Sequence, residues 1–514
     1  MTTHREVVRA AFLAAAAALL VVAFAPPGGD SAAHLYRTLL VRDGFELWDN
    51  LWFGGHYQLA SYSLLYYVPA AFVGNTAVVV VAVVASAALF AAIATHEWGR
   101  DARWAARAFG VLAAGPLFTG TYTYAAGLAA ALACLRLLQL RRPWLAVAAA
   151  GFTLGFSALA FAFLSVALAA VAAARRRISR RVALGLALIV AAQLALLALF
   201  PSDGRYPFSP LSLFACVTVG ALGAAVASRS ERGRVLVPFF VLWALVNVAA
   251  FTIPSPFGDN LTRLRAVVFP LVLLAAALAH FRPRWLAAGA LAFALAYNLG
   301  PDVSALPKRV DDARTARESF WRPALDFLAA HDDEDFRVEV VPTFGHWEAW
   351  FVPREGFALA RGWYRQIDLA ANPELYERPL DAAAYRRFLR RMGVRYVLLP
   401  HARLGPMGAD REAALLRSGM LPVAFRHRDW TIYELPEATP ILSGGRLEEL
   451  GHERIVGRVD SAGRHRLRVR WTRYWEARRG DVCLRRAADG MTTLVATRPG
   501  PFELAIGSGG ASCG

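Results

Sequence analysis

Long apolar runs, separated by small clusters of arginine, fill residues 1–300 and then stop. Runs near the roughly 20 residues needed to cross a hydrocarbon layer fall at 9–25, 69–95, 104–120, 123–140, 181–200, 209–228, 233–253, 263–281 and 283–299. Lipid offers no partner to backbone amides, so each such run must satisfy its own as a helix. The chain is 57% hydrophobic and 18% charged over 514 residues, too apolar for a soluble enzyme of this size. That apolar content, with only four cysteines, also excludes disordered and disulfide-scaffold classes.

Charge marks the boundary. Residues 1–300 hold 23 Arg and 10 Asp or Glu, whereas residues 301–514 hold 33 Lys or Arg and 29 Asp or Glu. The reading is a membrane domain over 1–300, a water-facing α/β domain over 301–440 and a β-rich module over 441–514. The net charge of +17 does not point to nucleic acid, because the arginines sit between apolar runs in the pattern that orients membrane helices.

Those arginines cluster at Arg5/Arg9, Arg100/Arg103/Arg107, Arg136/Arg141/Arg142, Arg175–Arg177 with Arg180/Arg181, Arg229/Arg232/Arg234 and Arg282/Arg284. All can be cytoplasmic only if 144–174 goes out and returns as two short helices, with a break near Gly151, Gly155 and Ser157. This gives about 11 spans in a plasma-membrane protein, the N-terminus cytoplasmic and the C-terminal region extracytoplasmic. Ala23-Phe24-Ala25 fits a signal-peptide cleavage site, but Pro26 and Pro27 follow at once, which favours an uncleaved first helix. Six acidic residues then face outward: Asp30, Asp43, Glu46, Asp49, Asp203 and Asp259. Four belong to the loop 26–68.

That loop reads PPGGDSAAHLYRTLLVRDGFELWDNLWFGGHYQLASYSLLYYV. Pro26 to Gly29 end the first helix, and Asp30-Ser31 can cap another. Asp30 and His34 stand four apart on that helix, whose Leu35, Leu39 and Leu40 suit it to lie along the membrane interface. Trp48, Asp49, His56 and Tyr57 follow, mixing aromatic faces with hydroxyl-binding groups as sugar sites do. Helix capping by Asp30 is the competing reading, as is an aromatic belt for Trp48, Trp52, Tyr57, Tyr66 and Tyr67. A second candidate is PSPFGDNLTRLR at 254–265, where Arg263 and Arg265 suit a lipid phosphate or snorkel to the interface.

One short N-terminal helix, a long outer first loop opening on an acid, many spans and an extracytoplasmic C-terminal region together resemble the GT-C membrane glycosyltransferases. GGDSAAHLYRTLL, WFGGHYQLASYSLLYYVPA and HWEAWFVPREGFALARGWYRQID are similar to segments of bacterial, especially actinobacterial, members. The resemblance implies Asp30 as catalytic acid/base and a polyprenyl-phosphate sugar as donor. The acceptor is then a glycan, lipid or protein outside the membrane. The adjacent acidic pair common in that family is missing, since Ser31 follows Asp30, so neither a metal nor another cofactor is expected.

In the C-terminal half, Ala324–Ala330 and Ala382–Met392 read as helices, and Arg337–Pro342 and Arg395–Leu399 as strands. His346, Glu348 and Arg361, with Trp363 and Arg365, suit an acceptor groove or packing between domains. From Gly445 onward the pattern is strand throughout, over Arg454–Val459, Arg466–Trp471, Val482–Arg485, Thr492–Ala496 and Phe502–Ile506, as in a β-sandwich. Cys483 and Cys513 can pair where oxidation is permitted; Cys134 and Cys216 read as apolar filler. A lipid or polysaccharide transporter or flippase and a non-catalytic envelope-assembly scaffold are the alternative functions. Transporters carry mid-membrane ionisable residues or repeated halves, and neither is visible here.

Overall fold

The computed structural model describes residues 2–44, 47–58, 62–175, 179–201, 204–331, 334–376 and 379–513. Glu46, Asp203, Arg176 and Arg177, used above to argue topology, lie outside the described residues. The chain divides into two compact units. The first comprises 1–28, 62–199 and 205–307; the second comprises 29–61, 200–204 and 308–514.

The first unit is helical, as the apolar runs require, and the chain is a multi-pass membrane protein. Among the described residues, eight helical segments are long and apolar enough to cross a membrane, against the roughly 11 spans read from the sequence. Three runs account for the difference. The runs near 69–95 and 104–120 fall together within Asn75–Thr119, although Gly99, at φ 63°, ends the helix Asn75–Trp98 and Arg103–Leu112 packs against it. Tyr122–Gln139 is helical but diluted by Tyr122, Tyr124, Arg136 and Gln139. Pro143–Phe156 has only 14 residues, a rise of roughly 21 Å where the hydrocarbon layer is about 30 Å.

The break expected within 144–174 falls at Ser157, whose backbone is extended between Pro143–Phe156 and Ala158–Arg175. The helix Thr2–Phe24 packs against Asn75–Trp98 and Arg103–Leu112 through buried Ala10, Ala14 and Ala18. Such small residues let membrane helices approach closely. A Cβ on Gly110 would come within 2.8 Å of the Ala10 carbonyl oxygen. Ion pairs draw the arginine clusters to one end of the helices: Arg107 with Glu6 at 2.7 Å, Arg175 with Glu97 at 2.9 Å and Arg232 with Asp101 at 2.7 Å. Tyr66 and Tyr67 are buried and do not form a belt; the Tyr66 hydroxyl donates to Asn75 Oδ1 at 3.0 Å.

The second unit begins with the first loop, which supplies the helix Ser31–Asp43 and the two-residue strands β1 (Trp48–Asp49) and β2 (His56–Tyr57). A mixed sheet follows from β3 (Arg337–Val340), β4 (Val394–Pro400), β5 (Val423–Arg426) and β6 (Trp430–Glu434), in the order β3-β4-β6-β5. β3 and β4 are parallel and the other pairs antiparallel. The helices Ala382–Met392 and Ala409–Arg417 bury Tyr385, Phe388, Leu389, Ala413 and Leu416 against it.

The β-rich module has seven strands: β7 (Gly445–Leu450), β8 (Arg454–Val459), β9 (Gly463–Arg470), β10 (Trp475–Arg479), β11 (Val482–Arg486), β12 (Met491–Ala496) and β13 (Gly500–Ile506). They form two sheets, β10-β13-β8-β7 and β11-β12-β9, and Cys483 and Cys513 form a disulfide. Strand alternation fills the core with Ile455, Leu467, Leu484, Leu494 and Phe502, and Trp48 and Leu51 of the first loop complete it.

Candidate active site

Asp30 occupies the N-cap position of Ser31–Asp43, and its side chain makes no capping hydrogen bond to the first turn. Its carbonyl accepts the His34 N–H at 3.2 Å. Of the helix's apolar residues, Leu40 is buried, while Leu35 and Leu39 are half-buried. The helix buries Ala32, Ala33, His34, Tyr36, Arg37 and Thr38 within the second unit and packs against the helix Glu348–Arg354. Its polar residues His34 and Arg37 thus face protein and not water.

Asp49 is fully buried and its carboxylate is fully used. Oδ2 accepts from the Tyr36 hydroxyl at 3.1 Å and Gln58 Nε2 at 3.0 Å, and Oδ1 accepts from the Leu51 N–H at 2.9 Å. His452 Nδ1 lies 2.8 Å from Oδ1. Burial pushes this carboxyl up, but the His452 hydrogen bond and charge, His56 and the Leu51 amide together hold it below the ordinary range. In this structure Asp49 therefore ties the first loop to the β-rich module and has no lone pair left for a sugar hydroxyl. Trp48 is similarly engaged: it is buried, with Nε1 donating to Asn50 Oδ1 at 2.7 Å. Asp49→Asn is expected to destabilise the protein by about 2–4 kcal/mol, since it removes charge from a buried network and sets an amide against donors. The loss, read by denaturant melts, should shrink as pH falls toward Asp49's own titration, where wild type also loses the anion.

His56 and Trp52 form the underside of a second cluster. Their rings stack 5.8 Å apart, Tyr36 stacks on Trp52 at 4.6 Å, and Tyr364 meets Trp52 edge-on at 5.8 Å. Arg37 lies over the Tyr364 ring at 4.4 Å. A Cβ on Gly362 would come within 2.6 Å of the Trp52 ring, so only glycine admits this close approach. Burial lowers the His56 imidazole to about 4, keeping it neutral at physiological pH. The Tyr57 hydroxyl meets Thr472 Oγ1 at 2.7 Å.

Beside Gly362 lies a small cleft lined by Glu339, His346, Glu348, Arg361, Trp363 and Asp368 among others. His346 adopts a positive φ of 54°, a strained backbone state that proteins tend to keep at functional positions. Its ring stacks on Trp363 at 3.9 Å. Nδ1 is 3.0 Å from Glu348 Oε1, and Arg365 Nη2 is 2.9 Å from Nε2. Arginine only donates, so Nε2 accepts and Nδ1 carries the proton. Burial holds this imidazole below its ordinary pKa, with Glu348 opposing. Glu348 Oε2 in turn accepts the Thr343 hydroxyl at 2.7 Å and its N–H at 3.1 Å.

Arg361 is the cation at the floor of the cleft. It pairs with Glu339, and with Glu412 at 2.7 and 3.1 Å. Asp368, bonded by the Tyr376 hydroxyl, stands 4.0 Å from it. One guanidinium thus faces three buried carboxylates. Burial pushes Glu339 up to about 8, with Arg361 opposing and Glu412 adding to the rise, and Glu412 is raised for the same first reason. Glu339 is therefore mostly protonated near neutrality, and its buried Oε2 has no hydrogen-bond partner among the described residues.

His346, Glu348 and Arg361 thus come together as the sequence pairing implied, while Glu339, Asp368 and Glu412 were missed. A lone acid inside the apolar strand RVEVV was the one available signal.

In the helical unit, Arg263 lies on the 3₁₀ turn Gly258–Leu264, and Arg265 opens the helix Arg265–Leu278. Arg265 pairs with Asp302 at 2.7 Å, and its carbonyl accepts from Asn298 Nδ2 at 2.5 Å. The buried Tyr124 hydroxyl of the helix Tyr122–Gln139 has no hydrogen-bond partner among the described residues. Nothing in the sequence singled Tyr124 out.

No protein-family model and no curated protein matches this sequence. Among solved structures, the chain is similar to the crystal structure of ArnT from Cupriavidus metallidurans in the apo state. The identity is 13% and the TM-score 0.38, over 80% of this chain and 94% of that one.

Proposed function

We propose that this chain is a GT-C membrane glycosyltransferase that moves a sugar from a polyprenyl-phosphate donor to an acceptor hydroxyl outside the membrane. The observation that carries the reading is the partition of the first loop. The segment 29–61, which bears the acid that the family resemblance marks, belongs to the same compact unit as the polar cleft. Its helix also packs on the helix that begins with Glu348. An acid at a chain reversal needs no such partner if its only task is to start a helix.

In the proposed reaction Asp30 accepts the acceptor's proton while the hydroxyl oxygen attacks the anomeric carbon, and the bond to the lipid phosphate breaks through an oxocarbenium-like state. A single displacement inverts the anomeric centre. The departing phosphate is a weak base and needs charge stabilisation more than protonation; Arg263 and Arg265 are the groups proposed for it, with the Tyr124 hydroxyl as a further donor. His34, His56 and Tyr57 are proposed to shape the loop's sugar-facing side. In the cleft, Trp363 offers a face for sugar C–H groups, and protonated Glu339 offers an O–H donor to an acceptor oxygen. Arg361 and Glu348 hold these in place.

Purified protein in proteoliposomes, given radiolabelled polyprenyl-phosphate sugars and extracted envelope acceptors, is expected to release polyprenyl phosphate in step with acceptor labelling. If the intact donor crosses the bilayer and no polyprenyl phosphate appears, the transport reading replaces this one.

A further inference from the structure

β9 reads GRHRLRVR, an arginine at every second position. Alternation sends His465, Leu467 and Val469 inward, where they are buried, and Arg464, Arg466, Arg468 and Arg470 to the opposite face. The latter two are absorbed by the fold. Arg468 donates to the carbonyls of Pro440 at 2.6 Å and Arg390 at 3.2 Å, and Arg470 donates to the Phe53 carbonyl at 3.0 Å. Arg464 and Arg466 are left on the surface.

Register extends the charge across the sheet. Thr493 of β12 pairs with Arg466 on one side and with Arg485 of β11 on the other, so the two arginines flank it on one face. Directly opposed residues on adjacent strands share a face, strands lie about 4.8 Å apart, and successive outward residues along a strand stand about 6.8 Å apart. Arg486 pairs with Thr492, opposite buried Leu467, and so lies on the other face. The contact between Arg468 and the Arg390 carbonyl brings the end of the helix Ala382–Met392 beside β9, adding exposed Arg387 and Arg390. Five arginines thus gather here, with Arg466 paired to Asp489 and Arg390 to Glu437 at 3.6 Å.

We propose that this face binds a linear polyanion, a polymer carrying a phosphate or carboxylate in each short repeat, laid along Arg464, Arg466 and Arg485 toward Arg390. Charge complementarity selects the sign, and the regular spacing of the side chains selects an extended polymer over a single ion. A membrane surface is the less suitable occupant. Among the described residues of the β-rich module no large hydrophobic side chain is exposed, so nothing there can insert between lipids. The proposal stands apart from the transferase reading, since it uses none of those residues.

The test is binding of fluorescent long-chain polyphosphate to the detergent-purified full-length protein, with inorganic phosphate, neutral dextran and phosphatidylglycerol-containing micelles as comparators. Polyphosphate should bind with an affinity that falls steeply with salt, and inorganic phosphate and dextran should not compete. The combined variant Arg464→Glu, Arg466→Glu, Arg485→Glu should lose about tenfold or more in affinity and show a shallower salt slope. Arg417→Glu with Arg426→Glu, on other exposed positions, should retain wild-type affinity. If the triple variant fails to fold by thermal melting, Arg464→Gln with Arg485→Gln should still weaken binding about threefold. The proposal is overturned if inorganic phosphate competes as well as the polymer or if the sheet variants bind like wild type. It is overturned equally if those variants lose only the response to phosphatidylglycerol.

Discussion

Asp30→Asn is expected to lower donor turnover by about 10²–10⁴-fold, the range that a positioned general base contributes, with the donor KM near its wild-type value. The substitution separates chemistry from structure unusually well. Asn at an N-cap is about as favourable as Asp, and the Asp30 side chain makes no capping bond in any case. Asn is also isosteric with Asp, so melting the variant beside wild type shows whether a loss of turnover is accompanied by a loss of fold. What the amide cannot do is accept a proton. Asp30→Glu keeps the base but moves it by a methylene, so it should retain part of the activity. Turnover unchanged in Asp30→Asn, with normal melting, would make Asp30 a helix-start residue and nothing more.

The largest effect on stability is expected at Arg361. Arg361→Met replaces a buried guanidinium by an apolar chain of similar length and leaves Glu339, Glu412 and Asp368 without their cation. Breaking a buried pair in this way costs about 3–5 kcal/mol, read as a lower denaturant midpoint. The pH dependence follows from the carboxyl shifts. Glu339 titrates near 8 in the fold against 4.5 for an ordinary glutamate. Between those values the folded protein holds a proton that the unfolded chain has released, so stability falls as pH rises from about 4.5 to about 8 and levels off above. Glu339→Gln should flatten that slope to the part contributed by Glu412 and melt higher than wild type at alkaline pH. In Arg361→Met the slope should steepen, because Glu339 and Glu412 then lose the cation that opposes their rise. A melting temperature flat across this range in wild type would contradict the assignment of a buried proton to Glu339.

Much of the architecture was legible because hydrophobic period reports burial locally. Apolar runs announced the helices, Gly151, Gly155 and Ser157 together announced a break, and the alternation in RIVGRV and MTTLVA announced strands. β7 and β10 escaped because GRLEEL and WEARR carry mostly charged residues, with only Leu447, Leu450 and Trp475 marking an inward face. The arginine clusters flanking 144–174 announced its two short helices, Pro143–Phe156 and Ala158–Arg175, which run length alone would have read as one.

At the site, local pattern found residues but not their tasks. Asp49 looked like a ligand group because nothing near it in sequence needs an anion; its partner His452 is 403 residues away. Arg361 looked like a groove residue, while its counterions Glu339 and Glu412 come from a separate strand and a separate helix. Ion clusters assembled from distant segments leave no periodic trace, and only an acid in an otherwise apolar strand betrays one member.

The account requires position 30 to face away from the cytoplasm and the arginine-rich helix ends to face into it, and cysteine labelling in intact cells tests this directly. The background is low: Cys134 and Cys216 are buried, and Cys483 and Cys513 are joined. A Cβ at Gly29 meets nothing within 4 Å, so Gly29→Cys is tolerated beside Asp30, and Arg229, on an exposed turn, is the opposite reporter. A membrane-impermeant maleimide should label Gly29→Cys in intact cells and Arg229→Cys only after permeabilisation. The reverse pattern would put the acid on the cytoplasmic side and contradict transfer to an acceptor outside the membrane.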